Sequence, residues 1–329
     1  MHPDIAQSHM TGCYVTVPTP FRDDDLSVDF IALGNHVNYL VAEGVVTGAG
    51  TLLACGAAGD FSTLTFDERV EVTTVVIDSA AGRVPIAMGA QTSSTRELVA
   101  LARTAERIGA QYLQVSPPFY FNHSEDDFVE FVEAVADIDV GIIVYNTYWT
   151  SLGLSGGAVE RLARLENVVG LKWSTPDTGF MEFEQVLSTF AERFAFIDNQ
   201  LRFVTSHILG ARAIEVHVSN FWPRWALDLW SLLEAGEYER AQRELVRVAM
   251  PFMKLWQEME QFTSGDGYLD KLCMELVGLG SSRCRPPTRD IRDQFRDRAA
   301  DMLRELGIPN LGIGHGAVVA LDSATATPG

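Results

Sequence analysis

The chain has 329 residues, 47% of them hydrophobic, which is enough to bury the core of one large domain or two ordinary ones. A formal net charge of −19 argues against a phosphate backbone or an anionic membrane surface as a partner. The four cysteines, Cys13, Cys55, Cys273 and Cys284, form no CxxC pair, the first residues are polar, and the longest apolar stretch, Val45 to Gly59, is too short to span a bilayer. These features predict a soluble cytoplasmic protein with reduced thiols.

Strand-like and helix-like segments alternate from about residue 13 to residue 235, the signature of a parallel α/β fold. Strands are expected at Tyr14–Val17, Gly50–Ala54, Pro85–Ala90, Tyr112–Ser116, Gly141–Tyr145, Val168–Lys172, Phe194–Asp198 and Ala213–Val218. Amphipathic helices are expected at Ile31–Ala42, Phe66–Ala80, Thr95–Ile108, Glu125–Ala136, Gly157–Leu165, Gly179–Phe190, Arg202–Leu209 and Arg224–Glu234. Eight βα units of this size predict a (β/α)8 TIM barrel over residues 10–235, with its chemistry at the C-terminal ends of the strands. Beyond Gly236 the strand signal stops, and helical stretches at 237–261, 267–277 and 289–306 predict a three-helix C-terminal appendage over 236–306. From Gly307 the chain turns Gly-rich and then Ala/Thr/Ser-rich without a period, so 307–329 is expected to be a flexible tail.

One lysine stands out. Only three of the 25 basic residues are lysine, and Lys172 ends the apolar run Asn167-Val168-Val169-Gly170-Leu171, ahead of the turn formers Ser174-Thr175-Pro176-Asp177. An amine leaving the core on the sixth strand is partly desolvated, so its pKa is expected to fall from about 10.4 toward neutrality and make it a nucleophile for carbonyl carbon. A lysine snorkelling to solvent or pairing with a carboxylate fits the same stretch.

Tyr145 ends the fifth strand, next to Lys172 on the sixth, where a phenol can move the protons that imine chemistry requires. The small residues of Gly56-Ala57-Ala58-Gly59-Asp60 follow the second strand and could turn backbone amides toward a carboxylate, or serve the turn alone. Glu215 and His217 are two apart on the eighth strand and share a side, either the barrel axis or the helix layer. The seven histidines form no HExxH or comparable spacing, so no metal is expected.

With these residues in place, the chain resembles the dihydrodipicolinate synthase and N-acetylneuraminate lyase family of class I aldolases and dehydratases. The resemblance covers roughly residues 12–305. It rests on Pro18-Thr19-Pro20-Phe21, on Gly56-Ala57-Ala58-Gly59-Asp60-Phe61-Ser62-Thr63-Leu64-Thr65 against the family's GTTGE-x-x-x-LT stretch, on Tyr145-Asn146 and on Gly170-Leu171-Lys172. It implies a Schiff base on Lys172 with no separate cofactor, proton relay by Tyr145, and a 2-keto acid whose carboxylate meets the amides of Ala57 and Ala58. It also implies an aldehyde partner for carbon–carbon chemistry, and a homo-oligomer, a dimer or a tetramer built of tight dimers.

The departures are specific. Both threonines of the glycine-rich motif are alanine, which removes the hydroxyl that links the tyrosine to its relay. Phe119 stands where many members place a tyrosine contributed across the dimer, with Tyr120 beside it. After Tyr145-Asn146 the chain reads Thr147-Tyr148-Trp149-Thr150, without the proline and arginine that the synthase uses, so dihydrodipicolinate synthesis is not expected. Matching the lyase branch puts Ser174, Asp198, Gln200 and His217 along the distal part of a substrate, and Glu215 where an aliphatic residue usually covers the keto acid. Trp149, Trp173, Phe221 and Trp222 near strand ends suggest a bulky or aromatic partner, as in the branch that acts on aromatic ylidene-pyruvates. Three functions follow: an imine-forming lyase, aldolase or dehydratase; a condensation or hydration that uses Glu215 and His217; and a member with a broken relay that binds a keto acid or a partner without turnover.

Overall fold

The computed structural model describes residues 3–150, 152–174, 181–309 and 311. Eight parallel strands close into a barrel in chain order: β1 (Gly12–Thr16), β2 (Gly50–Ala54), β3 (Ile86–Gly89), β4 (Tyr112–Val115), β5 (Gly141–Thr147), β6 (Val168–Ser174), β7 (Ala195–Asp198) and β8 (Ala213–Ile214). Every described strand residue is buried, as expected where helices cover the outer face and side chains fill the interior.

Alternation along the strands sorts the side chains. Tyr14, Tyr112, Ile143, Val169 and Ile197 share an interior cluster, while Leu171 and Trp173 join the layer beneath the helices. The interior is closed by a helix that the sequence pattern had not suggested, α1 (Pro3–His9), whose Ala6 and the following Met10 are buried in that same cluster. Gly170 makes room for it, since a Cβ there would lie 3.1 Å from Met10 Cε.

The outer helices are α2 (Phe30–Ala42), α3 (Phe66–Ala80), α4 (Thr95–Ile108), α5 (Glu125–Glu133), α6 (Gly156–Leu162), α7 (Glu182–Phe190), α8 (Phe203–Ile208) and α9 (Pro223–Glu234). Their starts are written locally: Thr65 with Glu68, and Ser124 with Asp127, form capping boxes, and Pro223 occupies the first turn of α9. The appendage comprises α10 (Tyr238–Glu260), α11 (Tyr268–Leu276) and α12 (Arg292–Leu306). Phe252, Leu272 and Leu303 from these helices share one continuous core with Val216, Phe221 and Leu229 of the barrel, so the appendage is part of the same body.

Three expectations change. The eighth strand stops at Ile214, because the chain turns into a 3-10 helix over His217–Asn220, where Asn220 Nδ2 donates to Thr16 O at 3.0 Å in place of ladder bonds. The fifth and sixth strands run two residues further than expected, paired as Tyr145↔Lys172, Asn146↔Trp173 and Thr147↔Ser174, so Ser174 belongs to the strand and not to a turn. The expected turn at 175–177, the helix start at Gly179 and nearly all of the 307–329 tail lie outside the described residues. Among the described residues, no helix is long and apolar enough to cross a membrane.

Candidate active site

At the C-terminal mouth of the barrel lies a cavity of about 360 Å³. The alternation that buries Leu171 and Trp173 under the helices turns Lys172 and Ser174 inward, and the matching register of β5 brings Tyr145 beside Lys172. Lys172 is 3% exposed, and its Nζ lies 4.2 Å from the centre of the Tyr145 ring and 5.4 Å from that of Tyr14. Beyond β8, Ile214, Val216 and Val218 join the helix-layer core, and the stretch Glu215 to Val218, which turns into the 3-10 helix, lines the cavity with the Glu215 and His217 side chains among its lining groups. Their orientation, open from sequence, is toward the interior.

Glu215 forms an ion pair with Lys172 through Oε2 and accepts a hydrogen bond from the Thr16 hydroxyl through Oε1. This reverses the sequence expectation for the amine. Burial by itself pushes the ammonium pKa down, but the adjacent Glu215 carboxylate outweighs it, and the Lys172 pKa lies above its ordinary value. At rest the Lys172 side chain is an ammonium held in a nearly buried ion pair.

The Tyr145 oxygen accepts hydrogen bonds from Ser174 Oγ at 2.9 Å and Asn199 Nδ2 at 3.1 Å. Burial raises its pKa, partly offset by the Lys172 charge, so it is a phenol at rest. A hydroxyl therefore bonds to the tyrosine, supplied by Ser174 from β6, although Ala57 and Ala58 bring none.

The glycine-rich turn is tightly wound. A Cβ at Gly56 would come within 2.6 Å of both Leu53 and Thr16, and Asp60 holds a left-handed φ of 60°. The turn is pinned by Thr19 Oγ1, which donates to Gly59 O at 2.7 Å, and by Lys271 Nζ, 2.5 Å from Asp60 Oδ2. Ala57 lines the cavity, whereas Ala58 lies behind it against Gly267, where a Cβ would meet Ala58 O at 2.4 Å. The amides of Ala57 and Ala58 donate to no partner among the described residues. No arginine lines the cavity among the described residues.

The appendage builds one wall of the cavity. Ala249, Phe252 and Met253 of α10 face the cavity, together with Asp266 ahead of α11. Asp270, fully buried on α11, accepts from His217 Nδ1 at 3.0 Å, and Asp266 Oδ1 lies 3.9 Å from His217 Nε2. Burial disfavours the imidazolium, but Asp270, then Asp266 and Glu215, overcome this and raise the His217 pKa to about 10. Burial likewise raises Asp266 to about 6 against the pull of His217. The signals for the two aspartates were faint: Asp266 sits in Gly265-Asp266-Gly267, which reads as a turn, and Asp270 stands beside Lys271 in a helical stretch, where it reads as one of an ordinary charged pair.

Other expected residues fall elsewhere. Gln200 lines the cavity. Asp198 does not: its oxygens accept from the Gln200 amide and from Ser206 Oγ, each at 2.6 Å, so it anchors its own loop. Of the four aromatic residues expected near the substrate, only Trp149 lines the cavity, its ring tilted against that of Tyr148 with centroids 4.6 Å apart, and Tyr148 also lines it. Trp173 packs outward on Phe183, Phe221 stacks on Phe252 in the core, and Trp222 packs on Trp225. Phe119 and Tyr120 lie outside the cavity, and Tyr120 is 89% exposed. Among the described residues, no cluster of three or more His, Cys, Asp or Glu is placed to hold a metal ion.

The model of the dihydrodipicolinate synthetase family matches residues 9–306. Among curated proteins, the 4-hydroxy-tetrahydrodipicolinate synthase of Methanospirillum hungatei is 26% identical over 298 residues, 89% of this chain and 98% of the relative. The enzyme of the same name from an Azoarcus species is 28% identical over 304 residues, 91% of this chain and 99% of the relative. Among solved structures, dihydrodipicolinate synthase from Aquifex aeolicus superposes with a TM-score of 0.80 at 25% identity, covering 92% of this chain and all of that one. The chloride-inhibited enzyme from Acinetobacter baumannii, complexed with pyruvate, gives 0.81 at 24% identity, covering 91% and 99%, a likeness of fold.

Proposed function

Because the chain belongs to the dihydrodipicolinate synthetase family, whose chemistry runs through a lysine imine without an external cofactor, we propose that it is a Schiff-base-forming lyase. It acts as an aldolase or dehydratase on a 2-keto acid of the pyruvate type, with Lys172 as nucleophile. The observation that carries this reading is the buried Lys172 at the end of β6, facing a cavity and set against a carboxylate and a tyrosine ring. Once the imine forms, its protonated nitrogen draws electrons from the bond at C3, which is the step shared by aldol cleavage and dehydration. Tyr145 then moves the proton of the substrate hydroxyl, supported by Ser174 and Asn199. The unpaired amides beside the Ala57 turn suit the keto-acid carboxylate, a role that needs no side chain.

The relatives named as synthases suggest dihydrodipicolinate chemistry, but the cavity supports a different partner. A second substrate with its own carboxylate would look for an arginine, and none lines the cavity among the described residues. The partner instead meets the Tyr148 and Trp149 rings at the rim and His217, Asp266, Gln200 and Asn199 deeper in, which fits a bulky, flat compound with a polar end.

The test is intact-protein mass spectrometry after borohydride treatment with pyruvate, alongside Lys172→Ala. One reduced pyruvate adduct, absent from the variant, is the expected result. No adduct with pyruvate or with larger keto acids and aldehydes would overturn the reading in favour of a binding protein without turnover.

A further inference from the structure

The Lys172 ammonium must lose a proton before it can attack a carbonyl, and a carbinolamine must gain one before its hydroxyl can leave. The groups around Nζ are few. Tyr14 and Tyr145 present ring faces, the Tyr14 hydroxyl donates to Gln114 Oε1 at 3.1 Å, and the Tyr145 oxygen already accepts from Ser174 and Asn199. The Glu215 carboxylate alone among the described side chains pairs with Nζ, through Oε2, while Thr16 holds Oε1. His217 and Asp266 are the other charged groups facing this pair across the cavity, and His217 is itself held by Asp270.

We propose that Glu215 is the acid and base of imine formation, a role that rests on Lys172 being the nucleophile. Glu215 takes one proton from the Lys172 ammonium, leaving a neutral amine beside a carboxylic acid. The amine nitrogen then bonds to the keto carbon as the C=O π bond opens, and the amine's second proton passes to the alkoxide to give a neutral carbinolamine. The Glu215 proton next goes to the carbinolamine hydroxyl. The C–O bond breaks, water leaves, and the nitrogen lone pair forms the C=N bond. The products are a protonated imine, water and the Glu215 carboxylate, so no external proton donor is consumed. The ion pair stores the proton that the dehydration step spends. Thr16 is a positioning residue that aims Oε2 at Nζ. Tyr145, whose oxygen is held on the Ser174 and Asn199 side, is left for the later proton at the substrate hydroxyl.

The experiment measures the initial rate of borohydride-trappable adduct formation with pyruvate and with glyoxylate, from pH 6 to 10, for the wild type, Lys172→Ala, Glu215→Gln, Glu215→Asp and Glu215→Ala. Glu215→Gln keeps the shape of the side chain and is expected to slow imine formation on the order of 100-fold near neutral pH. Glu215→Asp should recover part of the loss, and added formate should accelerate Glu215→Ala but not the wild type. Circular dichroism checks that each variant is folded, and Glu215→Asp with the formate rescue keeps the test decisive should Glu215→Gln fail to fold. Imine formation in Glu215→Gln at the wild-type rate or faster would overturn the proposal, because it would make Glu215 a clamp on the ammonium and nothing more. Absence of adduct from the wild type as well as Lys172→Ala would overturn the Lys172 reading itself, a different result from a defect confined to the Glu215 variants.

Discussion

The Ser174 hydroxyl donates to the Tyr145 phenol oxygen across 2.9 Å, although the two residues are 29 apart in the chain. The contact exists because β5 and β6 run on to Thr147 and Ser174 in register, so that inward-facing residues of neighbouring strands meet two positions beyond where the strands were expected to end. It places a hydroxyl on the tyrosine from a different strand than the glycine-rich turn. The hydroxyl missing at Ala57 and Ala58 thus has a counterpart at Ser174.

Tyr145→Phe should therefore separate two steps. The ring that packs on Lys172 Nζ is kept, so pyruvate imine formation should proceed within a fewfold of the wild-type rate, while kcat falls by roughly 10²–10⁴ for loss of a general acid–base group. Ser174→Ala removes one of two donors to the phenol and should cost less, about tenfold. Single-turnover trapping set beside steady-state rates checks both. Equal losses of trapping and turnover in Tyr145→Phe would show that the phenol is needed for the imine itself.

Lys172 and Glu215 are both nearly buried, with side-chain exposures of 4% and 11%. Removing one partner strands the other charge in a low-dielectric site, which costs about 3–5 kcal/mol, whereas replacing both with apolar groups of similar size is close to neutral. Lys172→Met should lower stability by that amount in urea unfolding, and Lys172→Met with Glu215→Leu should regain most of it. Additive losses in the double variant would mean that the two residues are not coupled.

The barrel was legible because its evidence is local and repeated: eight apolar runs, each followed by an amphipathic stretch, with caps such as Thr65-x-x-Glu68 marking helix starts. The neighbourhood of Lys172 and Tyr145 was legible for the same reason, since each closes an apolar run on adjacent strands. Asp270 was not. Its meaning comes from a contact with His217, 53 residues away and on another element, which no periodicity encodes. The direction of the Lys172 pKa was not legible, because desolvation can be read from an apolar run, whereas the opposing carboxylate is Glu215, just beyond β8 and 43 residues further along the chain. Trp173 and Phe221 show the converse error: aromatic residues near strand ends were counted toward the site, but strand parity and helix packing turn them into the core.

Phe119, Tyr120 and Phe121 form an exposed run at 40%, 89% and 67%, with Tyr120 at a left-handed φ of 86°. Three neighbouring aromatic side chains in water, one of them on a backbone conformation that costs energy, fit a contact with a second copy of the chain. Light scattering should give a dimer or tetramer, and Tyr120→Asp should shift it toward monomer while lowering turnover. A wild-type monomer, or a Tyr120→Asp variant with an unchanged oligomeric mass, would show that these residues make no contact between copies of the chain.

His217 offers a pH test whose sign is fixed by its surroundings. Its imidazolium is held by Asp270 and faced by Asp266 and Glu215, which raises its pKa in the folded protein to about 10, against about 6.5 for an unfolded histidine. A group whose folded pKa lies above its unfolded value contributes stability that is complete below the unfolded pKa and disappears as pH rises through the folded one. The contribution of His217 should therefore be full at pH 6, shrink between about pH 6.5 and 10, and be gone above that, with an upper bound of about 5 kcal/mol from the size of the shift. Asp266, raised to about 6, titrates mostly below that window. Urea midpoints for the wild type and His217→Gln should converge as pH rises from 7 to 10, because the variant has no imidazolium to lose. Parallel pH profiles for the two proteins would mean that the imidazole is neutral in the fold, and would remove His217 as the cationic wall of the cavity.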